Sequence, residues 1–223
     1  MAATEPATGS ITRLFRRFAT YREWLEDVAA AADAGKELIA EPGSDAWHNR
    51  MAVMYSAAAT ALDNGGPQAA GTMACRCLME LSRLHPKVAE GPVAIASALN
   101  ETPAAARDLP ELLVGLYNII GLVALLNGDA GNAQDHFEAG HVLARRQLET
   151  MDPAVLPVSM DLVWWLAFHA ALAAKTADRP VAWRRNVEVI RAHLCSDKGQ
   201  SGELFNLHSA QTMYKRARLE GLV

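Results

Sequence analysis

The sequence predicts an all-α protein of antiparallel helical hairpins, on three observations. No segment alternates apolar and polar residues over strand length, and no Asn-Gly or Asp-Gly pair joins two β-branched runs. Apolar residues recur instead at helical spacing, between Ser, Thr or Asp on one side and Gly or Pro on the other. The breaks are mostly short, and short links oblige consecutive helices to lie antiparallel.

Taken in order, residues 1–9 are small and polar and are expected to be a loose N-terminus. A single helical domain is expected over 10–223. Ser10 caps a short helix from Ile11 to Phe18, and Thr20 with Glu23 forms a capping box for a helix to about Ile39. Ser44 caps a helix from Asp45 to about Asp63. Pro67, after the Asn64-Gly-Gly turn, is placed as a first helical residue of a helix to Leu84. Pro86, Pro92, Pro103 and Pro110 divide an irregular link with one or two short helices. An apolar helix follows to Leu126, then one from Asp129 to near Glu149. After Asp152-Pro153 and Pro157 come a Trp-rich helix to Lys175, a helix from Pro180 to about Leu194, and a last one over about 203–218.

The bulk properties exclude several classes. With 223 residues, 51% hydrophobic, the chain can bury one core or a short array of repeats. A net charge of −4 gives no footprint for nucleic acid. Arginine outnumbers lysine 16 to 5, a coding bias expected of a bacterial chain. Three cysteines, Cys75, Cys77 and Cys195, suit a reducing, cytoplasmic setting. The first residues hold no apolar run of signal-peptide length. The stretches 112–126 and 162–174 are very apolar but fall short of the roughly 20 residues a bilayer crossing needs, so both read as central buried helices.

The segment GLVALLNGDAGNAQDHFEAG (121–140) shows how two helices meet. Gly121 lies inside a helix, where glycine costs about 1 kcal/mol against alanine. Close contact with the returning helix would offset that cost. On that helix Ala133, Phe137, Gly140, Ala144 and Leu148 form one stripe, small residues admitting the backbone and Phe137 filling the wedge. Tyr117, Ile120, Gly121, Gly128, Ala133, Phe137 and Gly140 together resemble the tetratricopeptide (TPR) repeat, a helical hairpin of about 34 residues. The best unit is 114–147; it departs from the family at Ala124, where tyrosine is frequent, and lacks a closing proline at 145. A weaker copy over 51–84 matches at Met54, Ala58, Gly65, Ala70, Ala74 and Cys77, and a third hairpin over 162–195 offers Trp165. The resemblance implies a short right-handed solenoid of stacked hairpins; the alternative is a compact α-helical bundle.

It also implies a concave groove lined by the first helix of each hairpin. By alignment that groove shows Tyr55, Ala59 and Leu62 from one unit and Asn118, Leu122 and Leu125 from the next. The surface is apolar and lacks a lysine and asparagine clamp for acidic tails. The implied role is therefore a non-catalytic adaptor or an assembly or secretion chaperone. It would hold an apolar or amphipathic segment of a partner protein, unless the chain's own C-terminal helix or a second copy, forming a homodimer, fills the groove.

Candidate chemistry is sparse, and no catalytic, metal or cofactor residue is assigned. Glu138 and His141 form one E-x-x-H pair near Asp135 and His136; without a second such pair they read as surface polar residues. Cys75 and Cys77, two apart on a helix, point about 200° from one another and read as buried small residues. His169, among Trp164, Trp165 and Phe168, reads as a core histidine bonded to a backbone carbonyl. The alternative function, a small helical enzyme or cofactor-binding bundle, would use this Trp164–His169 region. Residues 11–18 set Ile11, Leu14, Phe15 and Phe18 opposite three arginines, which packs on the protein or makes a peripheral membrane contact.

Overall fold

A computed structural model describes residues 21–23, 41–150, 160–194, 215–219 and 221. Seven α-helices run through it: α1 Asp45–Asp63, α2 Pro67–Ser82, α3 Pro92–Glu101, α4 Leu112–Leu126, α5 Ala130–Thr150, α6 Met160–Thr176 and α7 Pro180–Leu194. Two 3-10 turns, Pro86–Glu90 and Pro103–Asp108, flank α3, and there is no strand among the described residues. The fold is all-α. Residues 21–23 and 215–219 are helical. The expected loose segment 1–9, the helix over 11–18, most of the helix to Ile39, the link around Asp152-Pro153, Cys195 and the start of the last helix lie outside the described residues.

Local chemistry sets the helix limits. Ser44 Oγ accepts the amide of Trp47 at 3.2 Å and fixes the start of α1. Pro67, Pro92 and Pro180 each open a helix, where a missing amide donor costs nothing. At α5, Asp129 Oδ1 accepts the Asn132 amide at 3.2 Å, and Oδ2 takes the Asn132 side chain at 2.9 Å.

Three hairpin turns are built on one backbone plan. Gly66, Asp129 and Arg179 donate their amides five residues back, to Ala61, Ala124 and Ala174, at 2.8, 2.9 and 2.9 Å. The residue before each, Gly65, Gly128 and Asp178, donates to Leu62, Leu125 and Lys175 and has positive φ, at 75°, 79° and 54°. This is the left-handed helix stop, where glycine has no steric penalty and Asp is tolerated. The helix that returns then starts alike, with Ala70, Ala133 and Trp183 donating to Gly66, Asp129 and Arg179. Windows 61–70, 124–133 and 174–183 are thus equivalent in bonding, although the third has Asp for glycine and Trp183 where the others have alanine.

The helices pack mainly on their neighbours in chain order. α1 pairs with α2, α4 with α5, and α6 with α7; α2 packs on α4, α5 on α6, and α1 also reaches α4. Helix α3 lies against α5, two helices further along the chain. One apolar core runs from α1 to α6, and a second joins α6, α7 and Ala217 through Phe168, Val187 and Ile190.

The small residues lie at the contacts. A Cβ on Gly121 would stand 2.5 Å from Phe137 Cε1, and one on Gly140 would stand 3.2 Å from Leu166 Cδ2. Ala133, Phe137 and Ala144 are fully buried. Ala133→Leu is therefore expected to cost about 1–3 kcal/mol through overpacking, read from urea unfolding; an unchanged midpoint would show open space between α4 and α5. In α2, Cys75 and Cys77 are both fully buried free thiols, and Cys77 Sγ lies 3.7 Å from the Met51 sulfur of α1. Burial raises both thiol pKa values, that of Cys77 to about 12.

Candidate functional site

The Ser44 cap starts α1 so that Trp47, one turn on, points inward with only 2% exposure. Met51 and Tyr55 follow at helical spacing on that side. Across from them, α4 carries Gly115, where a Cβ would stand 2.5 Å from the Tyr55 hydroxyl oxygen. With Leu162 of α6 these residues wall a cavity of about 640 Å³, within the range of small-ligand and anchor-side-chain pockets.

The cavity is mostly greasy with few polar groups. His48 stands edge-on to Trp47 at a centroid distance of 5.0 Å, its Nδ1 donating to the Ser44 carbonyl at 2.9 Å. Trp47 Nε1 is buried and has no hydrogen-bond partner among the described residues. Burial raises the Tyr55 phenol pKa, so Tyr55 remains a neutral hydroxyl. Ala52, Ser56 and Glu111 are exposed lining residues.

Of the six residues expected in the groove, Tyr55 lines this cavity. Ala59 and Leu62 on α1, and Asn118, Leu122 and Leu125 on α4, are half-buried and lie outside its wall. The four apolar ones pack on the core, and Asn118 Oδ1 is buried without a partner among the described residues. Trp47, Met51, Gly115 and Leu162 were not expected there. Gly115 carried a signal, since it is a second glycine inside α4 and needs the same offset as Gly121. Trp47 could have been placed from the Ser44 cap. Leu162 comes from a different hairpin, which no local pattern discloses.

Compared with family models, curated proteins and solved structures, the chain matches none. The site therefore has to be interpreted from its own geometry.

The histidines correct two expectations. His136 and His141 are buried, at 2% and 6% exposure, and are not surface residues of α5. The helix is covered by α3, α4 and α6, which leaves little of its circumference wet. His136 Nδ1 donates to the Asn132 carbonyl at 2.7 Å, so Nε2 accepts the Tyr21 hydroxyl at 3.1 Å. Burial lowers its pKa to about 4, against the smaller opposing effects of the Asn132 bond and of Asp129. His169 bonds no backbone carbonyl among the described residues. Its ring centroid lies 5.1, 5.8 and 6.0 Å from those of Phe137, Trp165 and Phe168, its Nδ1 has no partner among the described residues, and burial lowers its pKa to about 4. Among the described residues no three His, Cys, Asp or Glu side chains form a metal set, and no helix is long and apolar enough to cross a membrane.

Proposed function

We propose that this chain is a non-catalytic protein-binding scaffold of TPR-type hairpins, an adaptor or chaperone that holds an amphipathic segment of a partner protein against α1 and α4. The observation that carries the reading is the apolar cavity of about 640 Å³ between the first helices of two hairpins. Three equivalent turns and neighbour-to-neighbour packing support stacked repeats. The Trp47 Nε1 donor suits a carbonyl or hydroxyl on the incoming segment. Burying one Leu or Phe anchor contributes about 1.5–3 kcal/mol, so micromolar affinity requires several anchors after ordering costs. Buried Cys75 and Cys77 suit work in the cytoplasm. The rings around His169 pack on one another, and its Nδ1 has no partner among the described residues.

The test places a photo-crosslinking amino acid at Ser56, with exposed Arg184 on α7 as control, and identifies the attached chain. Ala52 is exposed, so Ala52→Arg is expected to keep the helical spectrum and unfolding midpoint while weakening capture at least about tenfold. Undiminished capture by folded Ala52→Arg, or equal crosslinking from Arg184, overturns the assignment. Crosslinking to a second copy of the chain would make the trough a self-association site instead.

A further inference from the structure

A second cavity, of about 190 Å³, lies where α3, α5 and α7 meet, and its wall is half polar and half apolar. Asn100 comes from α3, Glu138, His141 and Arg145 from α5, and Arg185 and Asn186 from α7. Glu138 Oε1 is already engaged, accepting Gln134 Nε2 at 2.8 Å, Asn186 Nδ2 at 2.9 Å and Arg185 Nη2 at 2.6 Å. The wall therefore holds two guanidinium groups against one carboxylate. Glu149, which does not line the cavity, comes within 3.4 Å of Arg145 Nε without the geometry of a hydrogen bond.

The decisive group is His141, which is 94% buried by its 6% exposure. Its Nδ1 lies 2.9 Å from the Val163 carbonyl, and because a carbonyl only accepts, Nδ1 carries the proton. In the neutral ring Nε2 is then a lone pair in need of a donor, and no described residue supplies one. Burial, before the weaker effect of Arg145, lowers the His141 pKa and keeps the ring neutral.

We infer that this cavity binds a small carboxylate that carries its own hydrogen-bond donor, a hydroxy acid or an amino acid. The carboxylate meets the Arg145 guanidinium, which has no carboxylate partner on the cavity wall, and the hydroxyl or ammonium donates to His141 Nε2. The volume suits the size, since it holds about six waters or one ligand of a few heavy atoms. Water alone meets the lone pair and leaves Arg145 without a carboxylate on the cavity wall. This site is separate from the α1–α4 trough, and either assignment stands without the other.

Isothermal titration of the full chain with sodium glycolate, L-serine and sodium acetate tests the proposal. Glycolate or L-serine is expected to bind at least about tenfold tighter than acetate, which has the charge and no donor. The tighter of the two tells hydroxy acid from amino acid. Arg145→Met is expected to abolish binding of all three, and His141→Phe to remove the preference over acetate. Should His141→Phe fail to fold, nitrogen NMR of the unmutated protein reads the same contact as a shift of His141 Nε2 on addition of the tighter probe. Equal binding of acetate and the donor-bearing acids, an unmoved Nε2 at saturation, or no binding up to roughly 20 mM overturns the inference.

Discussion

Phe137→Ala is expected to cost about 3–5 kcal/mol, the range for removing a fully buried aromatic ring, and so a large part of a typical domain's stability. The ring occupies the place a Gly121 side chain would take, with Cε1, Cδ1 and Cζ all within 2.9 Å of the position for a Cβ. Gly121→Ala should therefore run against helix propensity. Propensity alone favours alanine by about 1 kcal/mol, but the methyl would collide with the ring, and a net loss of about 1–3 kcal/mol is expected. Replacing the ring as well, in Gly121→Ala with Phe137→Leu, should recover part of the loss, so the two changes couple. Urea unfolding of these three variants and of Phe137→Leu alone measures this. A loss under about 1 kcal/mol for Phe137→Ala would mean that α4 and α5 do not need the wedge.

The second large effect is acid sensitivity. His136 and His169 have folded pKa values of about 4, well below the ordinary value of 6.5. Above pH 6.5 both are neutral whether the chain is folded or not, and neither affects stability. Between 6.5 and 4 the unfolded chain takes up protons that the folded chain refuses, so stability falls as pH falls and levels off below 4. Each site removes about 2 kcal/mol by pH 5, and the pair about 4. His141 acts in the same direction. Asp135, whose pKa is raised by burial against the pull of Arg179, acts in the opposite direction at lower pH. Unfolding midpoints from pH 7 to 5 should drop steadily, and His169→Phe should reduce the slope while retaining an aromatic stack. A flat profile over that window would contradict the burial of these rings.

The legible parts of the fold were those written in local chemistry. Ser44, Pro67, Gly128, Asp129 and Pro180 each act on the backbone within one turn, so the starts and stops around them could be placed from the sequence. The stripe on α5 was legible because its spacing is helical and Ala133, Gly140 and Ala144 are small. What covers a helix on its remaining faces was not. Glu138 and His141 looked like a wet face because α3, distant in the pattern, could not be foreseen to lie on α5. The site was partly legible for a similar reason. Tyr55 followed from alignment to a repeat, whereas the cavity also needs Leu162 from a third hairpin and the gap left by Gly115, which depend on how far neighbouring hairpins slide along one another.

The Cys77 thiol of α2 gives the molecule a built-in reporter of its own breathing. An alkylating reagent reacts with a thiolate in contact with solvent, and for Cys77, buried against Met51 of α1, neither condition is met while α1 and α2 stay together. The modification rate of Cys77, read by mass spectrometry in the unaltered chain, thus counts how often the first hairpin opens, and a segment seated along α1 should slow that count in proportion to its hold.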